Sequence, residues 1–195
     1  MKLQVLPLDV QTKFEKVALR NSLTAEELIA RNCAVCVLIW EVIQIFELNF
    51  RHYLNREISQ LSKSSSWWLD PELIHRDHLS APSNSKDKIQ FLNLGFLSLL
   101  LSDRYHKKLW VPCLQGAFNS WKLPRRVLHA NLRLLVRVRN RIAHHEIIYN
   151  FPLIEIVDFA QQILVHLNPI TAEELRKRNY AALINKIRLG SGGGI

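Results

Sequence analysis

The chain predicts an all-α fold: a helical bundle with one long helix near its N-terminus and a cationic helix in its second half. Apolar residues recur at spacings of three and four over long runs, and no stretch keeps an alternating β period. Glycine and proline are scarce, 6 and 7 in 195 residues, and four of the glycines lie beyond residue 189. An all-β chain needs more turn residues than that.

Composition narrows the class. The length suits a single domain over residues 1–189, with 190–195 as a flexible glycine-rich tail. Hydrophobic residues make up 48% and charged residues 22%, the balance of a globular chain. The most apolar stretches, residues 33–45 and 91–101, fall short of the roughly 20 residues a membrane helix needs. Residues 1–10 carry Lys2, Pro7 and Asp9 and lack the apolar core of a signal peptide. A membrane partner is therefore not expected, and a cytoplasmic location is. The net charge of +9 and a pI near 9.7 favour an anionic partner, nucleic acid before an acidic membrane surface.

The elements follow in order. Residues 1–21 read as an ordered arm or short helix around Phe14 and Val17. Thr24-Ala25-Glu26-Glu27 is a capping box, in which the hydroxyl takes an orphan amide and the glutamate reaches back to the cap. From Leu28 the helical spacing runs through Cys36, Val37, Trp40, Ile43, Glu47, Phe50, Leu54, Ile58 and Leu61. No proline or glycine interrupts residues 24–68, so one long helix is expected, closed by the polar run of residues 62–66. Cys33-Ala34-Val35-Cys36 has no second pair to complete a zinc site, and its apolar neighbours suggest buried core cysteines. With Cys113 unpaired as well, no disulfide framework arises.

Asp70-Pro71-Glu72 suggests a helix start with proline in the first turn, and residues 79–88 a surface loop. His75 and His78 near Asp77 have a metal-like spacing, but no companion ligand cluster goes with them, so no metal or cofactor is expected. Residues 89–101 read as a strongly apolar helix in which Gly95 marks the close approach of another helix. Residues 103–108 are polar and mobile in character, and Trp110, Phe118 and Trp121 supply core surface. Residues 124–143 form an amphipathic helix with Leu128, Leu132, Leu135, Val136 and Ile142 inside and its arginines outside. A further helix over 152–167 packs back on it. Thr171-Ala172-Glu173-Glu174 repeats the capping-box pattern before a last helix through Leu175, Ala182, Leu183 and Ile187.

The chemistry concentrates at the end of the cationic helix, in Arg137-Val138-Arg139-Asn140-Arg141-Ile142-Ala143-His144-His145-Glu146. Arginine keeps its charge near neutral pH, whereas histidine is the side chain that gains or loses a proton there. A fixed cation beside a titratable imidazole is what phosphodiester cleavage requires. Arg139 and His144 would sit about 140° apart on one continuous helix. Either the helix ends before His144, or a second copy of the chain completes the constellation. Arg133, Arg137 and Arg141 form an i, i+4 series, and Glu47 and Arg51 an intrahelical pair.

Residues 139–146 resemble the RNxxxH motif of HEPN domains, in the form carried by the Abi-like (abortive infection) family. Glu47-Leu48-Asn49-Phe50-Arg51 is similar to that family's early-helix segment, although His52 stands where the family has asparagine. Asn93-Leu94-Gly95-Phe96, Tyr105 and Leu109-Trp110-Val111-Pro112 resemble its central segments. The resemblance spans roughly residues 24–165. It implies a HEPN-like bundle that cleaves RNA without a metal. His144 would be the acid–base group, Arg139 would steady the phosphoryl charge, and Asn140 would hold the imidazole or phosphate, with His145 as the other acid–base candidate. Glu47 and Arg51 would support the site, and Arg133, Arg137 and Arg141 would bind the RNA backbone. A homodimer is implied, as is a phage-defence or toxin–antitoxin setting with an antitoxin or regulatory protein as partner. The rival reading is a non-catalytic module that binds nucleic acid or protein and whose histidines are structural.

Overall fold

A computed structural model describes residues 6–75, 89 and 92–189. Helices dominate, and no strand occurs among the described residues, so the all-α expectation holds. The tail at 190–195, the loop at 79–88, and His78 and Asp77 lie outside the described residues.

Helix α1 (Leu8–Arg20) precedes the long α2 (Ala25–Ser62), and the capping box at its head is formed. Glu27 N–H donates to Thr24 Oγ1 at 3.1 Å, and Thr24 N–H donates to Glu27 Oε2 at 2.8 Å. Lys63 ends α2 in the left-handed conformation, so the helix stops at the serine run. The buried positions Val35, Ile39, Val42, Phe46, Phe50, Leu54 and Ile58 repeat at three and four residues. That stripe makes α2 the axis of the molecule, packed against α1, α3 (Leu94–Leu99), α5 (Arg125–Ala143), α6 (Leu153–Leu167) and α8 (Tyr180–Leu189). By length and composition α2 is also long and apolar enough to cross a membrane, although the apolar run at 33–45 alone is too short. A core helix and a membrane span share the same composition.

The aromatic centre sits where α2 meets the middle of the chain. Phe46 and Phe50 stack at 5.3 Å, and Phe118 contacts Trp121 edge-on at 4.3 Å. A second, smaller core joins Phe14 and Ala18 of α1 to Leu28, Ile29 and Tyr149.

Several elements differ from expectation. Residues 70–74 form a turn, in which Ile74 N–H donates to Asp70 O at 2.8 Å, rather than a helix start. The apolar helix expected over 89–101 shrinks to α3, because the Asn93 side chain caps the chain at Phe96 N–H. A Cβ on Gly95 would lie 3.1 Å from that capping oxygen and 3.9 Å from Val136 of α5, so the tight neighbour is the cap. Residues 103–108 are helical: a 3-10 turn at Asp103–Tyr105 leads into a π-helix at His106–Leu114, then α4 (Gln115–Phe118). Pro112 lies inside that π-helix, where the wider ladder accommodates a residue without an N–H. The second capping box does not form. Helix α7 (Pro169–Arg178) begins earlier, capped by the Asn168 side chain at Thr171 N–H, with proline at its first turn.

Helix α5 matches expectation closely. Leu128, Leu132, Leu135 and Val138 are its buried stripe, while Val136 and Ile142 are only half-buried. Helix α5 packs against α3, α2 and α6.

Candidate functional site

The site is built at the end of α5. Ala143 is the last helical residue, and His144 caps it with its N–H on Asn140 O at 2.9 Å. His145 then turns into the left-handed region, with φ of 57°. Its N–H reaches Ile142 O at 3.0 Å, and Glu146 N–H reaches Arg141 O at 2.8 Å. Those two bonds and the left-handed residue make a Schellman stop, a role glycine usually takes. The Arg141 guanidinium closes the turn, 3.2 Å from the Glu146 carboxylate, 3.4 Å from Ile147 O and 5.1 Å from the Phe151 ring. Arg141 is thus engaged in holding the turn as well as facing solvent.

The segment beyond is clamped from two sides. Asn32 of α2, 4% exposed, accepts from Ile148 N–H at 2.8 Å and Tyr149 N–H at 3.1 Å. Arg188 of α8 donates to Tyr149 O and Phe151 O, both at 2.7 Å. Neither residue stood out in the sequence. Asn32 sits among residues of a regular helix, and its partners lie 116 and 117 positions away.

His144 and His145 are exposed and form one edge of a cleft of about 1060 Å³. Its other walls are mostly apolar, Val10 and Phe14 of α1 with Cys36, Val37 and Trp40 of α2. The cysteine expectation needs correcting here. Cys33 is exposed on this cleft, and Cys36 is half-buried, its thiol pushed up to about 12 chiefly by burial. Among the described residues no group of three His, Cys, Asp or Glu side chains is placed to hold a metal ion.

Arg139 opens into a second cleft of about 280 Å³ with Glu47, Leu48 and Arg51. Trp40 and Gln44 line both clefts, so the two adjoin. The Arg139 guanidinium carbon lies 5.9 Å from the centre of the Trp40 ring, and its Nη1 donates to Asn140 Oδ1 at 3.4 Å. Glu47 and Arg51 pair at 2.5 Å, with side chains 15% and 14% exposed, and Arg51 Nε also donates to Leu92 O at 2.8 Å. This pair is mostly buried, not the exposed i, i+4 contact that spacing alone suggests. It occupies the Glu47 carboxylate and leaves Arg139 without an acidic partner among the described residues.

Arg133 and Arg137 face elsewhere, in a groove of about 350 Å³ between α3 and α5 with His129 and Gly95. The expected strip of Arg133, Arg137 and Arg141 is therefore split, with two members in this groove and the third in the turn. Burial, then Arg133 and Arg125, hold the His129 imidazole below its ordinary value against the pull of Asp103.

The arrangement thus brings Glu47, Arg51 and Arg139 into one cleft, and His144 with His145 into its neighbour, while Asn140 lines neither and is tied to the site only through its contact with Arg139. The helix does end before His144, yet that ending leaves Arg139 and His144 in adjoining clefts. No family model matches the sequence, and no curated protein or solved structure is significantly similar to it.

Proposed function

We propose that the chain is a metal-independent endoribonuclease of the HEPN, Abi-like kind. The observation that carries this reading is the pair of exposed imidazoles one cleft away from a guanidinium with no acidic partner among the described residues. An RNA strand crossing Trp40 would meet both. His144 takes the proton from a ribose 2′-hydroxyl, and the 2′-oxygen attacks phosphorus. The bond from phosphorus to the 5′-oxygen breaks, and the imidazolium returns a proton to that leaving oxygen. Arg139 faces the charge that grows on the phosphoryl oxygens, worth most where water is excluded. Its planar cation is always present, and no carboxylate among the described residues forms an ion pair with it. The 2′-hydroxyl makes RNA the substrate and DNA inert.

A second copy of the chain would bring Arg139 and His144 closer across a two-fold axis. Val37 and Leu48, 69% and 52% exposed on α2 beside the clefts, offer the apolar contact such a pairing covers. A phage-defence or toxin–antitoxin role, with an antitoxin or regulatory protein as partner, belongs to this reading through the resemblance of residues 139–146.

The rival reading, a non-catalytic module binding nucleic acid or protein, has one observation in its favour: His145 serves the turn through its backbone. Cleavage assays on purified protein separate the two. His144→Ala should keep RNA binding and lower cleavage by about 10²–10⁴-fold, the range of general acid–base catalysis. Intact RNA with the wild-type protein favours the binding module.

A further inference from the structure

Trp40 stands apart from the other tryptophans. Trp67, Trp68, Trp110 and Trp121 are buried, at 8% exposure or less. Trp40 is partly exposed and forms the ridge between the histidine cleft and the arginine cleft. Its indole N–H makes no hydrogen bond among the described residues, and Arg139 sits against one side of the ring. Beside it, the exposed Gln44 amide lines both clefts and is likewise without a partner among the described residues.

A large aromatic left partly exposed at a cleft forgoes apolar burial that a ligand can recover. The charge around it selects the ligand. The nearby carboxylates are engaged, Glu47 with Arg51, Glu41 with Arg178 and Glu146 with Arg141. Arg139 has no acidic partner among the described residues, so the ridge presents an aromatic face beside a cation without an ion pair, the combination that holds a base and its phosphate on a single strand. A duplex keeps its bases stacked inside and has none to offer.

We propose that Trp40 is a base-stacking platform for one unpaired nucleotide of single-stranded RNA, with Gln44 placed to bond that base's edge. This rests on the ribonuclease reading for its substrate class and adds the demand that the nucleotide next to the scissile phosphate be unpaired. The backbone of that nucleotide is then held between Arg139 and the histidines, which fixes where the strand is cut.

The test uses the full chain and a 2′-O-methylated, uncleavable single-stranded RNA of about ten nucleotides, the site size of such grooves. Tryptophan emission should be quenched on binding, and the quenching should vanish in Trp40→Phe, which keeps a stacking ring and binds within a few-fold of wild type. Trp40→Ala, checked for folding by circular dichroism, should bind about 5- to 100-fold more weakly. A probe scanned with one abasic nucleotide should lose affinity at one position in the wild type and at none in Trp40→Ala. Unchanged affinity in Trp40→Ala, or quenching that persists in Trp40→Phe, would overturn the platform. Base-dependent quenching without cleavage of ordinary RNA sinks the nuclease reading and leaves the platform standing. Cleavage indifferent to Trp40 does the reverse, and no binding of single strands removes both.

Discussion

His145 combines a left-handed backbone with an imidazole on the cleft edge. A side chain there costs roughly 1 kcal/mol relative to glycine. His145→Gly should therefore raise stability by up to about 1 kcal/mol, seen as a higher melting temperature. With His144 as the acid–base group, the same variant keeps RNA cleavage within a few-fold, whereas a loss of about 100-fold or more assigns the chemistry to His145. Asn32 has no such latitude. Asn32→Leu strands two buried N–H groups, those of Ile148 and Tyr149, and should cost at least about 2 kcal/mol in urea denaturation. At this scale the sequence named residues that reach clefts: Arg139 lines one, His144 and His145 line the other, and Asn140 lines neither but accepts from Arg139. The clamp was not legible, since an asparagine in a regular helix carries no local sign of a partner far along the chain.

Elements divide in the same way. The Thr24 pattern and the Thr171 pattern are alike, yet only Thr24 caps a helix. Thr24→Ala should cost about 1 kcal/mol, while Thr171→Ala should change stability by less than about 0.5 kcal/mol. Asn168→Ala should show the cost expected of a cap. Capping is a contest between neighbouring residues, and Asn168-Pro169 wins it because proline suits the first turn. Long periodic helices such as α2 and α5 were legible to within a few residues. The short α3 and the π-helix were not, because an apolar run is the same whether a cap interrupts it or not. The α3–α5 groove also makes a pH prediction. The His129 imidazole is held down by burial first, so the unfolded chain takes up the proton before the folded one as pH falls. Stability is then lost as pH drops below the unfolded value of about 6.5. Melting temperature should fall between about pH 7 and pH 5, and fall less in His129→Asn.

For the whole molecule, charge was legible and its distribution was not. The net charge of +9 is spread over separate faces, with Arg133 and Arg137 in one groove, Arg139 in another and Arg141 in the turn. RNA affinity should fall steeply with salt, while Arg133→Ala and Arg139→Ala, on different faces, should combine additively. A composite site across two copies makes a sharper demand. Arg139→Ala and His144→Ala proteins, each inactive, should recover about a quarter of wild-type cleavage when mixed and allowed to exchange, because half the dimers regain one intact site. No recovery assigns both residues to one chain.

The most direct measurement is the chemistry of the product ends when purified protein is incubated with mixed RNA in excess EDTA. A guanidinium and an imidazole acting on the 2′-hydroxyl leave 2′,3′-cyclic phosphate and 5′-hydroxyl ends, and Arg139→Ala and His144→Ala abolish them. Products bearing 5′-phosphate, or cutting that begins only when Mg²⁺ is restored, would contradict that chemistry.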